Sequence, residues 1–114
     1  MKRSLYFAFA STLLSASLSF AAAGQAAAAK AGDAAKGKDV FEQCSVCHNA
    51  DSTDKKIGPG LKGLFKQDKL VNGKKVTDAN VLEFINNGGN GMPAYADMLS
   101  AEDKANVLAY LKTL

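Results

Sequence analysis

Histidine, cysteine and tryptophan are scarce in this chain, which has one histidine, two cysteines and no tryptophan among 114 residues. A structural zinc site needs four protein ligands, and these residues supply three at most, with no second cluster to complete the set. A disulfide between Cys44 and Cys47 would close too short a loop to stabilise a small domain much. The composition therefore speaks against a zinc site and against a fold held together by disulfides.

Strand-like alternation, internal repeats and low-complexity tracts are also missing outside the first 29 residues. The absence of strand patterns removes the βαβ context that a thioredoxin-like cysteine pair requires. Without Lys2 and Arg3, the 14 basic residues fall to 12 lysines against 11 acidic residues. Such a balance does not indicate nucleic acid or an anionic membrane as a partner. The fold class is predicted to be all-α.

The segment Cys44-Ser45-Val46-Cys47-His48 has the C-x-x-C-H pattern of covalent haem attachment. Each cysteine sulfur can add to one vinyl group of the haem, and a neutral imidazole beside them can bind the iron. The motif predicts one covalently attached haem c. A large cofactor would also complete the thin core of a chain this small, so we expect the domain without haem to be largely unfolded.

The first 29 residues have the three-part layout of a secretory signal peptide. Lys2 and Arg3 precede an apolar segment, which gives way to serine and alanine with A-x-A triplets at 21–23 and 27–29. We expect cleavage between residues 23 and 29, which leaves 30–114 as a single domain in the periplasm. The alternative is an uncleaved membrane anchor; a lipoprotein is not expected, because no cysteine lies near the cleavage region.

Three segments combine helical periodicity with a residue that can cap the helix N-terminus. They are residues 34–43 after Asp33, residues 78–86 after Thr77 or Asp78, and a last helix opened by Ser100 and Asp103 as a capping box. A glycine inside a helix costs about 1 kcal/mol relative to alanine. Gly37 in the first helix therefore predicts the close approach of another helix, with a glycine that is merely tolerated at the surface as the alternative.

A short segment after the haem motif is rich in apolar residues and has glycine on both sides of Pro59. This pattern predicts a fixed turn. Its apolar residues could line one side of a flat cofactor, although an ordinary turn with a small apolar cluster is the alternative. These residues are Ile57, Leu61, Leu64 and Phe65.

His48 is the only histidine, so two histidines cannot hold the iron. Methionine, lysine, water or nothing remains for the position opposite His48. Met92 follows a glycine-rich loop and precedes Pro93, a context that can deliver a side chain to a fixed point. Met98 lies beside the last helix, where we expect it to pack in the core. Met92 is the predicted second ligand, with Met98 as the alternative.

With these residues placed, the sequence from about 33 to 114 resembles the class I single-haem cytochromes c. The resemblance implies a small cytochrome c fold of three to four helices around the haem. It also implies thioether bonds at Cys44 and Cys47, with His48 and Met92 as iron ligands. Pro59 matches the family proline whose carbonyl accepts a hydrogen bond from the proximal imidazole.

The resemblance extends to the helix contacts and leaves one feature without a counterpart. Gly37 and Phe41 match first-helix positions that pack on the last helix, here through Val107 and Tyr110. The family tryptophan near the haem propionates is absent, so the propionate partners stay unassigned. The segment from Met92 to Tyr95 is similar to bacterial and photosynthetic-lumen members, which makes the thylakoid lumen a minor alternative location.

Filled axial positions leave no room for oxygen or peroxide, so the first functional hypothesis is a soluble, monomeric one-electron carrier and not an enzyme. Redox proteins are the expected partners, with acidic docking faces if the lysines of residues 55–75 ring the haem edge. An ordinary solvated lysine surface is the alternative.

A dedicated haem subunit of a dehydrogenase or oxidase is the second hypothesis. A peroxidase is less favoured because no second histidine exists to act as acid and base, and a gas sensor would need a longer chain.

Overall fold

The computed structural model describes residues 31–114, so the predicted signal peptide lies outside the described residues. Within this range the chain forms three α-helices, α1 (Ala34–Phe41), α2 (Asp78–Asn87) and α3 (Ala101–Leu111), and one 3₁₀ turn at Leu64–Lys66. Two isolated antiparallel bridges occur in loops, and residues 31–114 contain no extended strand. The all-α prediction is confirmed.

Each helix begins where a side chain satisfies its free N–H groups. The Asp33 carboxylate accepts from the Ala35 N–H at 2.8 Å, and the Thr77 hydroxyl accepts from the Asn80 N–H at 3.1 Å. At α3, Ser100 and Asp103 form the reciprocal capping box. The predicted helix starts are therefore confirmed.

The first helix ends earlier than the sequence predicted, at Phe41 instead of residue 43. The Phe41 carbonyl accepts hydrogen bonds from the N–H groups of both Cys44 and Ser45. These bonds wind the chain into consecutive turns through Cys47. The haem motif consequently lies in tight turns directly after α1, which fixes its backbone close to the helix.

The contact between α1 and α3 is close because of Gly37. A Cβ atom at Gly37 would overlap the Asn106 carbonyl and lie 2.8 Å from the Cβ of Tyr110. Beside the glycine, the Phe41 and Tyr110 rings pack at a centroid distance of 5.3 Å, and Val107 is 2% exposed. The predicted close approach of another helix to Gly37 is confirmed.

The second helix packs in the core through Val81, which is 4% exposed, and it has few direct contacts with α3. The Lys112 ammonium pairs with the Asp78 carboxylate at its start. At its end, the Ile85 carbonyl accepts from the Tyr95 N–H at 2.9 Å. Among residues 31–114, no helix has the length and apolar character needed to cross a membrane. The three helices and the loops between them surround a large apolar cavity.

Candidate functional site

All five residues singled out by the sequence line this one cavity, although they come from three separate parts of the chain. The first group follows α1, the second belongs to the loop before the 3₁₀ turn, and the last belongs to the loop after α2. They are Cys44, Cys47, His48, Pro59 and Met92. The cavity thus brings two thiols, an imidazole and a thioether into one largely apolar space.

The turns of the haem motif are held by backbone hydrogen bonds that begin at Cys44. Its carbonyl accepts from the Cys47 N–H at 3.1 Å and from the His48 N–H at 3.0 Å. Burial raises the pKa of the Cys44 thiol, and the neighbouring Cys47 raises it further. Before haem attachment, the Cys44 sulfur is therefore a neutral thiol in apolar surroundings.

The imidazole of His48 is oriented by a single hydrogen bond. Its Nδ1 lies 2.8 Å from the Pro59 carbonyl oxygen. A carbonyl can only accept a hydrogen bond, so Nδ1 carries the proton and Nε2 carries the free lone pair. This tautomer makes Nε2 the nitrogen that is available to bind a metal ion.

A backbone connection holds the Pro59 loop against the haem motif. The Gly58 N–H donates to the Cys47 carbonyl at 2.7 Å, and the Lys56 ammonium donates to the Ser45 carbonyl at 2.8 Å. One turn further, the Leu61 N–H donates to the Asn49 carbonyl at 2.7 Å. The hydrogen-bond acceptor of His48 is therefore fixed relative to the motif by main-chain bonds on both sides.

The two methionines that compete for the second ligand position have different surroundings. Met92 is half-buried and lines the cavity, after a loop in which Gly88, Gly89 and Gly91 all have positive φ. Met98 is 63% exposed and does not line the cavity. The expectation that Met98 packs in the core was wrong, because the turn before α3 directs it to solvent.

The apolar wall predicted after the haem motif is largely present. Ile57, Leu61 and Leu64 line the cavity, whereas Phe65 lies outside it and packs near the Lys112 ammonium, 5.8 Å from its ring centre. Including Phe65 in the wall was wrong because the 3₁₀ turn directs neighbouring residues to different sides.

The sequence prediction missed the opposite wall and several polar residues at the cavity. The wall comes from the apolar faces of α2 and α3, which periodicity located without indicating that they face a cofactor. Its residues include Phe84, Ile85, Val107 and Leu111, with Leu99 added from the segment before α3, and the polar ones are Gln43, Gln67, Asn90 and Tyr95. Burial raises the pKa of the Tyr95 phenol, with added effects of Cys44 and Cys47, so the phenol is neutral.

The donor set of the cavity fits a haem c. Two thiols next to an imidazole match covalent attachment, and an imidazole with a thioether matches iron ligation. The surrounding walls are mostly apolar, as a porphyrin requires. Among residues 31–114 no group of three or more histidine, cysteine, aspartate and glutamate side chains could hold a metal ion without such a cofactor.

Comparisons with known proteins agree with this chemistry. Residues 32–111 match the family described as cytochrome c oxidase, cbb3-type, subunit III. A cytochrome c6 of Rippkaea orientalis is 39% identical over 84 residues, which cover 73% of this chain and 72% of that protein. A cytochrome c-554 of Methylosinus trichosporium is 34% identical over 116 residues, with 86% of each chain covered.

A solved structure supports the same assignment at the level of the fold. The cytochrome c6 of the diatom Phaeodactylum tricornutum superimposes with a TM-score of 0.58 at 30% sequence identity. The match covers 72% of this chain and 93% of the diatom protein. The small cytochrome c fold expected from the sequence is confirmed. The chain therefore belongs to the c-type cytochromes, as a small class I member that carries one covalently bound haem c and transfers single electrons instead of converting a substrate.

Proposed function

We propose that this cytochrome is an exported, freely diffusing electron carrier whose haem is bound through Cys44 and Cys47 and ligated by His48 and Met92. The observation that supports this most directly is the shared cavity of these four side chains. The hydrogen bond from His48 Nδ1 to the Pro59 carbonyl adds support, because it leaves Nε2 free to face the cavity.

When bound, the haem supplies an iron that accepts and releases one electron. The residues around it keep that exchange simple. With His48 and Met92 both bound to it, the iron would have no position left for a substrate, and the apolar walls of the cavity would limit the access of water. The hydrogen-bonded turns between α1 and the Pro59 loop would hold the His48 ligand position, and the loop after α2 would supply Met92.

The ligand assignment is tested by spectra of the oxidised and reduced holoprotein. We expect Met92→Ala to lose the weak far-red absorption band of iron–thioether ligation. Its reduction potential should fall by on the order of 0.1 V, a fraction of the roughly 0.8 V range that axial ligands span.

Met98→Ala is the matched control, because Met98 is exposed and lies outside the cavity. It should keep both the band and the potential of the unchanged protein. The ligand proposal fails if Met98→Ala loses the band and Met92→Ala keeps it. Pigment that dissolves in acidified butanone would instead contradict covalent attachment at Cys44 and Cys47.

Partner recognition is proposed to use the basic segment 55–75, which has seven lysines and one aspartate. Two of these lysines already have partners within the chain, because Lys56 donates to the Ser45 carbonyl and Lys74 pairs with Glu83. The others are Lys55, Lys62, Lys66, Lys69 and Lys75. We assign docking of acidic redox partners to these five.

A dedicated haem subunit is the second candidate function, and the matching family's description as an oxidase subunit favours it. The two roles differ in where the protein is found after gentle lysis of its native cells. A free carrier elutes alone at the size of a monomer and serves more than one partner. A dedicated subunit elutes with a large oxidase complex and is inactive without it.

Export is proposed from the layout of residues 1–29. Mass measurement of the mature holoprotein tests it directly. A signal peptide cleaved in the interval 23–29 leaves a chain that begins between residues 24 and 30, in the periplasmic fraction. Recovery of the full-length chain in the membrane fraction would instead indicate an anchor.

A further inference from the structure

Gly58 lies directly against the imidazole ring of His48. A Cβ atom at Gly58 would lie 2.8 Å from Nδ1 and 3.1 Å from Nε2 of that ring, both closer than ordinary contact. Unlike Gly63 and Gly73, Gly58 does not have a positive φ. Position 58 is therefore restricted to glycine by the lack of space beside the imidazole, and not by its backbone conformation.

The main chain of Gly58 cannot easily move away from the ring. Its N–H donates to the Cys47 carbonyl at 2.7 Å, and its carbonyl accepts from the Lys56 N–H at 2.9 Å. The next residue, Pro59, supplies the carbonyl that accepts from His48 Nδ1. Two of these hydrogen bonds thus hold residues 58 and 59 against the motif and its imidazole, and the bond between Lys56 and Gly58 closes the turn before them.

We infer that Gly58 is a positioning residue for the iron ligand His48, and that its main chain sets the rotation of the imidazole plane. A single hydrogen bond to Nδ1 tolerates a range of angles, so it leaves the ring some swing about the Cβ–Cγ bond. Contact with Gly58 along the neighbouring ring edge limits that swing. The inference rests on the proposed ligation of iron by His48.

Substitution of Gly58 tests this in the intact holoprotein. We expect Gly58→Ala to turn the imidazole, which changes the pattern of haem methyl resonances in the proton NMR spectrum of the oxidised state. The reduction potential should rise, because a weaker Nδ1–H···O bond makes the imidazole a poorer donor to oxidised iron. An unchanged methyl pattern in Gly58→Ala would overturn the inference.

Gly60→Ala is the matched control in the same loop. Its Cβ atom would lie 2.7 Å from the Cα of Thr53, so it disturbs a similarly crowded backbone. The nearest atoms belong to Ser52 and Thr53 and not to His48. We expect Gly60→Ala to lose stability while it keeps the methyl pattern and the potential of the unchanged protein.

If Gly58→Ala does not bind haem, a measurement on the wild-type holoprotein tests the role of Gly58 instead. In the reduced, diamagnetic state, the α-protons of Gly58 should show a strong nuclear Overhauser effect to the Hε1 proton of His48. Absence of that signal would overturn the role of Gly58 even if the spectra indicate His48 and Met92 as ligands. Loss of the ligand spectra themselves would instead refute the proposed function.

Discussion

Asn106 is a buried polar residue on the otherwise apolar inner face of α3, and it is 5% exposed. Its side-chain oxygen accepts a hydrogen bond from the Asp33 N–H at 2.8 Å. That bond joins the cap of α1 to the middle of α3. The same bond satisfies the Asp33 N–H, which lies at the start of α1 and has no acceptor within that helix.

Replacement of Asn106 by alanine should therefore lower the stability of the holoprotein. We expect Asn106→Ala to reduce the free energy of unfolding by about 1–3 kcal/mol, because it removes a buried acceptor and leaves a small void. Urea denaturation followed by helix circular dichroism measures the change. Asn87→Ala, at the exposed end of α2, should stay within about 0.5 kcal/mol of the unchanged protein, and equal losses in the two variants would contradict the role of Asn106.

Single residues were predictable where their signal was local in sequence. The haem motif is contiguous, and Met92 is marked by the glycines before it, so a place for both at one cavity could be expected from their neighbours. Asn106 had no such signal, because its partner lies 73 positions away in the chain. A long-range hydrogen bond to a backbone group leaves no pattern around the side chain that accepts it.

At the scale of elements, the contact of α1 with α3 depends on the missing side chain of Gly37. Alanine in place of a helical glycine usually stabilises a helix by about 1 kcal/mol. Here the added Cβ atom would overlap the Asn106 carbonyl. We expect Gly37→Ala to destabilise the holoprotein by about 1–3 kcal/mol, since overpacking forces the two helices apart.

Thermal unfolding of the holoprotein provides the measurement for Gly37→Ala. Lys38→Ala is the control, because Lys38 lies on the same helix and is exposed. It should leave the midpoint nearly unchanged. A higher midpoint for Gly37→Ala would mean that helix propensity outweighs the contact with α3.

Helix positions were predicted well, whereas their relation to the cofactor was not. Capping residues and apolar periodicity are properties of one segment, so the starts of all three helices followed from the sequence. Periodicity identifies an apolar face without indicating whether it meets another helix or a cofactor. Only the structure therefore shows that the cavity walls include Phe84 and Ile85 of α2 and Leu111 of α3.

Across the whole molecule, charge is divided between two regions. Residues 55–75 hold seven lysines and one acid, whereas the remaining described residues hold four lysines and ten acids. This separation gives the segment 55–75 a net positive charge, although lysines and acids balance over residues 31–114. In the proposed docking role, the segment would attract partners with an acidic face before contact.

Salt and lysine substitutions should reveal this attraction. We expect the electron-transfer rate with an acidic redox partner to fall several-fold between low and physiological ionic strength, because salt screens exposed charges. Lys69→Gln should reduce both the rate and its salt dependence. Lys38→Gln, outside the basic segment, should not, and a rate insensitive to salt would rule out charge-directed docking.

Removal of the haem tests how far the fold depends on it. The cavity walls come from all three helices, and α2 has few direct contacts with α3. We expect the haem-free chain to lose most of its helix signal and to unfold without a sharp transition in urea. Helix content that persists in a cooperative transition would show that the protein alone can form this core.

The hydrogen-bond acceptor of His48 is a main-chain carbonyl, and every amino acid carries one. No point mutation at position 59 can delete this acceptor; it can only shift its place by relaxing the constraint that the proline ring puts on the backbone. Substitutions at position 59 should therefore change the electron donation from His48 to a bound iron in small steps, without abolishing the hydrogen bond.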